Sequence, residues 1–443
     1  MSIVFERSAQ SKLLQWKNAA DHPPLILNGA RQVGKTYLMK WLGKNHFQNI
    51  AYFNFDENPE LNQLFESTKD VNRILSNLTF VHGSKITADT LIVFDEIQAC
   101  KAALGSLKYF NENLPELYII CAGSLLGIAL GNGISFPVGK VTFTEIKPLS
   151  FFEYLAVANP TLYTYVNQIN VIEPIPDIFF HPLLEQFRNY FVSGGLPKVA
   201  KTYLENKDIV LVENLLNDLL MSYTNDFSKH AVGKDVQKIG YVWNSLPSQL
   251  ARENKKFIYQ LVKEGARARE YEDSLTWLIN AGLVYRVNLC KSPKLPLSGY
   301  DDLSAYKLYC FDVGILRRLS KLDPSIFAEN SNIFVEFKGA FTENYILQSI
   351  INQFDVTPRY WTSGNSAEVD LLIQYKNELI PVEIKSDMNI QSKSLGVYRK
   401  SFEPNLSIRY SLKNLELNNG ILNIPLFLAD RTLELVQLTK KSV

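Results

Sequence analysis

The chain has 443 residues, 46% of them hydrophobic, enough for about three domains of roughly 150 residues with a core in each, so disorder is excluded as the dominant state. Its 46 Lys and Arg against 45 Asp and Glu leave a net charge of +1. No global field therefore recruits nucleic acid or an acidic membrane, and any such binding must use a local patch.

In chain order, residues 1 to 20 read as a short helix. The apolar run Leu25-Ile26-Leu27 then enters a Gly-containing turn and a helix from Lys35 to Leu42. Strand patterns follow at Ile50-Phe55, Leu91-Phe94, Leu117-Ala122 and Val141-Ile146, separated by helical stretches, the alternation of a parallel sheet with crossover helices. This block runs to about Lys201. The longest apolar tract, Tyr118 to Leu130, is about 13 residues and too short to span a bilayer, and the N-terminus MSIVFERSAQ has no signal-peptide pattern. Four scattered cysteines, Cys100, Cys121, Cys290 and Cys310, form no C-x-x-C pair, which argues against disulfides and structural zinc and for a reducing compartment. The expectation is a soluble cytoplasmic protein with no membrane partner.

From about 202 to 333 the pattern is mostly helical and closes on strands at Leu283-Leu289 and Tyr306-Phe311. Helices followed by a two-stranded ribbon predict a winged helix-turn-helix. The stretch 334–443 reads as a helix (Phe337 to Ile351), strands Arg359-Thr362, Glu368-Tyr375 and Leu379-Lys385, then another helix and more strand. The domains expected are thus 1–201, 202–333 and 334–443.

The strongest motif is Gly29-Ala30-Arg31-Gln32-Val33-Gly34-Lys35-Thr36, a full G-x-x-x-x-G-K-[ST] placed between strand and helix, with Tyr37 next to it in the nucleotide-binding set. The glycines let backbone N–H groups turn toward phosphates, and the helix N-terminus adds partial positive charge. Lys35 is expected to neutralise the β and γ phosphates of ATP, and the Thr36 hydroxyl to ligate Mg²⁺. The apolar run Leu91-Ile92-Val93-Phe94 ends in Asp95 and Glu96. Two adjacent carboxylates at a buried strand end are costly unless used. Asp95 suits the Mg²⁺ shell and Glu96 the attacking water, which favours an ATPase over a kinase. Ser124, after Cys121-Ala122-Gly123, has two readings: a hydroxyl that senses the γ-phosphate, or a helix cap.

With these motifs, the tract Phe136 to Lys140, the run Pro148 to Leu155 and Ser193-Gly194-Gly195-Leu196-Pro197, the chain resembles the AAA-type ATPases of bacteria and archaea that carry a C-terminal domain long catalogued as of unknown function. The resemblance covers nearly the whole chain. It implies an AAA-type parallel-sheet domain that binds and hydrolyses ATP. In relatives the position of Lys140 is usually Arg, and Lys lacks the planar guanidinium fork, so Lys140 reads as a surface residue.

In the middle stretch the pattern is a charged helix after Pro247, then an amphipathic helix from Ala268 to Gly282. Arg252, Lys255, Lys256, Lys263, Arg267 and Arg269 outnumber Glu253, Glu264 and Glu270. Contact with duplex DNA phosphates is one reading, and a solvated, ion-paired helix surface that serves protein partners is the other. Trp243 and Trp277 read as core.

In the last stretch, Asp370 with Glu383-Ile384-Lys385 matches the D-x(n)-E-x-K pattern of PD-(D/E)xK metal-dependent nucleases. E-x-K is not rare here, since Glu145, Glu205, Glu253, Glu336 and Glu383 all precede a Lys by two. Only Glu383 ends an apolar strand, shares a face with Lys385, and follows a strand bearing Asp370. Carboxylates so placed suit Mg²⁺ or Mn²⁺, and Lys385 suits water activation. The resemblance adds Glu343, within Lys338 to Asn344, to this metal set. The expected function is Mg-dependent ATP hydrolysis coupled to DNA binding, with DNA cleavage open. The alternative is a signalling ATPase whose inactive nuclease-like domain binds protein partners, and under either reading an oligomer is open.

Overall fold

The computed structural model describes residues 3–123, 139–230, 234–252, 254–324, 335–351, 353–364, 367–386 and 393–441. They form two compact units, Glu6–Pro148 with Trp277–Leu283, and Met1–Phe5 with Leu149–Thr276 and Val284–Val443.

The first unit is built on β1 (Leu25–Asn28), β2 (Asn49–Asn54), β3 (Thr90–Asp95), β4 (Tyr118–Ala122) and β5 (Thr142–Glu145), in the order β2-β3-β4-β1-β5. All neighbours are parallel. Strands covered on both faces need continuous apolar sequence, and every residue of β3 is buried. Flanking helices are α1 (Ser8–Asn18), α2 (Lys35–His46), α3 (Asn62–Glu66), α4 (Val71–His82) and α5 (Lys101–Asn113). On one face Phe94 of β3 meets Phe55 and Phe65 edge-on, with ring centroids 5.6 and 5.7 Å away. The parallel arrangement brings the carboxyl ends of β1 and β3 to one edge of the sheet, where open α/β sheets hold ligands.

The second unit has helices α6 (Phe151–Ala158), α7 (Pro160–Asn167), α8 (Asp177–Ser193), α9 (Pro197–Asn206), α10 (Ile209–His230), α11 (Lys234–Leu250), most of α12 (Ala268–Asn280), α13 (Val313–Leu319), α14 (Val335–Ile350), α15 (Lys393–Phe402) and α16 (Thr432–Lys441). Its strands are β6 (Val284–Cys290), β7 (Asp301–Cys310), β8 (Arg359–Thr362), β9 (Glu368–Tyr375), β10 (Glu378–Ile384), β11 (Ser407–Ser411), β12 (Glu416–Asn418) and β13 (Ile421–Pro425). They make one eight-stranded sheet, β12-β13-β11-β10-β9-β8-β6-β7.

Three features differ from the sequence expectation. The ribbon β6–β7 does not stand alone, because β6 continues the sheet through β8, with Leu289 opposite Tyr360. Residues 149–201 pack with the C-terminal segment. Phe187 of α8 meets Tyr345 of α14 at 4.8 Å, and the Asp430 carboxylate accepts from Phe152 N at 2.8 Å. The charged helix expected after Pro247 is absent among the described residues. Gln249 closes α11 by bonding both backbone groups of Ile258, at 2.8 and 2.9 Å, and the described chain to Arg267 runs in turns and one short 3-10 helix, Tyr259–Leu261.

Candidate functional site: a nucleotide pocket and a carboxylate cluster

The loop between β1 and α2 has the shape its glycines permit. Gly34 takes φ 97°, a left-handed conformation, directly before Lys35 opens α2. A Cβ on Gly29, whose φ is 137°, would overlap the Ile146 carbonyl. Ala30 and Val33 are buried, Arg31 is half-buried, and Gln32 and Tyr37 are exposed. The Lys35 ammonium donates to the Gly29 and Ala30 carbonyls, each at 2.8 Å. Burial pulls its pKa down to about 8, and Glu96 and Asp95 oppose that shift. It is a desolvated cation in a nest of backbone, suited to a polyanion.

The carboxylates at the end of β3 face this loop. Thr36 donates its hydroxyl to Asp95 Oδ2 at 2.9 Å. Glu96 follows in the left-handed region (φ 51°, ψ 41°), an uncommon conformation for a non-glycine residue. Its Oε2 accepts from Gln98 Nε2 at 2.5 Å. Ser124 lies outside the described residues. Lys140 pairs with Glu112 at 3.2 Å, both half exposed.

Sequence reasoning missed two supports. Tyr52 of β2 donates to the same Asp95 Oδ2 at 2.6 Å. Its signal was there, since a Tyr two residues before the end of the strand registered with β3 pairs Tyr52 with Val93 and Asn54 with Asp95. Arg7, buried at the start of α1, donates to the Val33 carbonyl at 2.8 Å and to the Lys147 carbonyl at 2.6 Å, bracing the loop from behind. No sequence motif marks it. The donor set fits nucleotide and metal: Thr36 and Asp95 offer hard oxygens for Mg²⁺, and Lys35 with the loop amides suits the phosphates.

In the second unit, Asp370, Glu383, Lys385 and Glu343 do converge. The Ile384 amide donates to Asp370 Oδ2 at 2.8 Å, and Lys385 pairs with Glu383 at 2.7 Å. Glu343, 1% exposed, accepts from Lys255 and from the Tyr309 hydroxyl, and from Lys307 at 3.2 Å. Lys307, fully buried on β7, also pairs with Glu368 at 2.6 Å. Burial works to lower the Lys307 pKa, and Glu343, Glu368 and Asp370 overcome it and raise it. Burial would raise that of Glu343, and Lys255 and Lys307 hold it down to about 2. Asp370 is pushed up to about 7 by burial, Glu343 and Glu383.

Of these carboxylates Glu343 is already engaged by protein partners, whereas Glu383 Oε2 is buried with no hydrogen-bond partner among the described residues. Two ammonium groups and a phenol take both Glu343 oxygens, and among the described residues no group of three or more His, Cys, Asp or Glu is placed to hold a metal ion. Lys255, one of the bases expected to face DNA, belongs to this cluster instead. Arg267 and Arg269 stay exposed, and Trp243 and Trp277 are buried.

Residues 21–155 match the family model of an AAA domain, and residues 184–326 and 338–428 match two families described as domains of unknown function. No curated protein matches the chain. Among solved structures it is similar to the Walker-type ATPase PABY2304 of Pyrococcus abyssi (16% identity, 71% of this chain and 96% of that one, TM-score 0.44). It is also similar to the RuvB Holliday junction branch migration motor of Thermotoga maritima (13%, 65% and 90%, 0.30) and to Orc1 of Aeropyrum pernix in complex with DNA (13%, 74% and 94%, 0.27). All three TM-scores fall below 0.5. No helix among the described residues is long and apolar enough to cross a membrane. The chain therefore carries an AAA-type P-loop ATPase domain, ahead of helical and mixed-sheet parts whose families have no assigned function.

Proposed function

We propose that the protein is an Mg-dependent ATP-hydrolysing switch whose second unit binds DNA without cutting it. The Thr36–Asp95 hydrogen bond beside the desolvated Lys35 carries the nucleotide half of this reading. Lys35 and the amides of Gly29 to Thr36 hold the phosphates, and Thr36 and Asp95 hold Mg²⁺, which supplies charge neutralisation on the phosphate oxygens when bound. Glu96, turned out of the strand by its left-handed backbone, orients and deprotonates the attacking water. A hydroxyl at Ser124 suits γ-phosphate sensing. The buried thiols of all four cysteines favour a reducing, cytoplasmic setting. Oligomer formation is part of the reading, since Lys140 is spent on Glu112 and an arginine from a second copy is the natural source of a finger.

For the second unit, the order α14, β8, β9, β10, α15, β11 around Asp370 and Glu383 supports a nuclease-like scaffold, and helices α11 and α12 ahead of β6–β7 support a winged-helix relative within 202–333. Neutralisation of Glu343 by Lys255 and Lys307 favours binding over cleavage. Incubation of the full chain with labelled duplex and single-stranded DNA, with and without ATP and Mg²⁺ or Mn²⁺, tests both halves. Nucleotide-dependent binding with no cleavage supports the reading, and metal-dependent cutting refutes its second half.

A further inference from the structure

We propose that the pocket framed by Arg399, Arg409 and Lys413 in the second unit is a phosphate-binding site, and that the phosphate it takes belongs to a nucleic-acid strand. This deepens the DNA-binding reading given above and rests on it. The sheet itself builds the site. Glu383 on β10 stands opposite Arg409 on β11, Arg409 opposite Asn423 on β13, and Asn423 opposite Glu416 on β12. Residues in lateral register share a face, so one row leads from the carboxylate cluster into the pocket. Arg399 reaches over it from α15 and is held by the Asn419 carbonyl, and Lys413 and Asn418 complete the rim of a cavity of about 270 Å³.

The charges and the donors both call for an anion. Arg399, Arg409 and Lys413 line this cavity with the carboxylate of Glu416, and Glu383, in register with Arg409, also acts on its charge, three cations against two carboxylates. The buried Nε of Arg409 has no hydrogen-bond partner among the described residues. The Arg409 guanidinium lines the cavity and carries its N–H donors in one plane, a geometry that matches two oxygens of one phosphate. Each non-bridging oxygen of a phosphate accepts more than one hydrogen bond, so one group can meet Arg409 and still accept from Arg399 and Lys413. A tetrahedral phosphate serves all three. Lys385 lies on the same face as Glu383, two residues along the chain, and its amide continues the ladder to Tyr410. By strand spacing it stands about 8 Å from Arg409. A second cation, paired with Glu383 at 2.7 Å, thus lies along the same face, within reach of a polymer of phosphates and beyond that of a single phosphate.

The test is anisotropy binding by the full chain with saturating ADP and Mg²⁺, so that the phosphate loop is filled. The probes are a fluorescent single-stranded 12-mer with a 5′-phosphate and the same strand without one, with inorganic phosphate and a phosphoserine peptide as competitors. Wild type is expected to bind both strands, and Arg399→Gln with Lys413→Gln to weaken binding at least tenfold. The slope of log K against log salt should fall by about 1.4 for two lost phosphate contacts. Arg409→Lys, which keeps charge and loses the fork, should weaken it less. Equal affinity for the two strands assigns the pocket to backbone phosphate and a preference for the 5′-phosphate assigns it to a strand end; either supports the proposal. Affinity within twofold of wild type in the double variant, at an unchanged melting temperature, overturns the pocket while leaving DNA binding elsewhere intact. Binding of neither strand by wild type overturns the DNA-binding reading as well, and displacement by the phosphopeptide alone overturns the nucleic-acid assignment.

Discussion

The Tyr52 hydroxyl lies 2.6 Å from Asp95 Oδ2, the oxygen that also accepts from Thr36 at 2.9 Å. Two donors on one carboxylate oxygen fix its direction toward the loop. The Tyr52 pKa is raised by burial and by Asp95, so the phenol remains a donor across the working pH range. Tyr52→Phe removes one charge-assisted bond of about 1.5–3 kcal/mol. The expected outcome is a Mg²⁺ requirement for ATP turnover shifted upward by roughly tenfold or more, with little change at saturating Mg²⁺. A Mg²⁺ titration of steady-state hydrolysis reads this, and an unchanged midpoint would show that Tyr52 only packs.

Lys307 acts as the internal counter-ion of the second unit. Removing one partner of a buried pair costs about 3–5 kcal/mol, so Lys307→Met should melt well below wild type. Glu343 and Glu368 are then left without that cation. Mn²⁺, added without nucleotide, should raise the melting temperature of the variant more than that of wild type. Equal shifts, or a larger one in wild type, would mean that a metal already competes with the lysine.

Asp370 sets a pH dependence. Its folded pKa of about 7 lies above the ordinary carboxylate value of 3.8, so between these values the folded state holds a proton that the unfolded state has lost. Stability from this group is therefore present at low pH and falls as pH rises from about 4 to 7. Asp370→Asn keeps an acceptor for the Ile384 amide and removes that cost. The variant should gain a few kcal/mol over wild type at pH 8 and nothing at pH 4, read by urea unfolding at both.

Arg267 and Arg269 remain exposed beside the start of α12. If they contact duplex phosphates, the double change to Ala should flatten the slope of log K against log salt by about 2. Binding that ignores salt would instead assign this surface to a protein partner.

Much of the first unit was legible because its signals are local. GARQVGKT must bend at Gly34, and a strand as apolar as Leu91 to Phe94 is covered on both faces before it ends in Asp95 and Glu96. Asp370, Glu383 and Lys385 lie close together because β9 and β10 form one hairpin, a local pairing. What stayed hidden depends on distant pairing. Lys255 and Lys307 are ordinary lysines in the sequence, and only the pairing of β7 and the turns after Gln249 carry them onto Glu343. The neighbour of the β6–β7 hairpin was hidden for the same reason, since a hairpin cannot announce that a third strand, β8, will join its edge. Arg7 braces the loop from outside any motif.

The central claim is ATP hydrolysis at the Lys35–Thr36–Asp95–Glu96 site, and the most direct measurement is turnover and Mg-ATP affinity for wild type, Lys35→Ala and Glu96→Gln. Lys35→Ala should lose tight Mg-ATP binding, because the loop loses its buried cation. Glu96→Gln should bind Mg-ATP as wild type does and hydrolyse it slower by about 10² to 10⁴, the usual worth of a positioned base. Hydrolysis by Glu96→Gln at the wild-type rate would contradict the account.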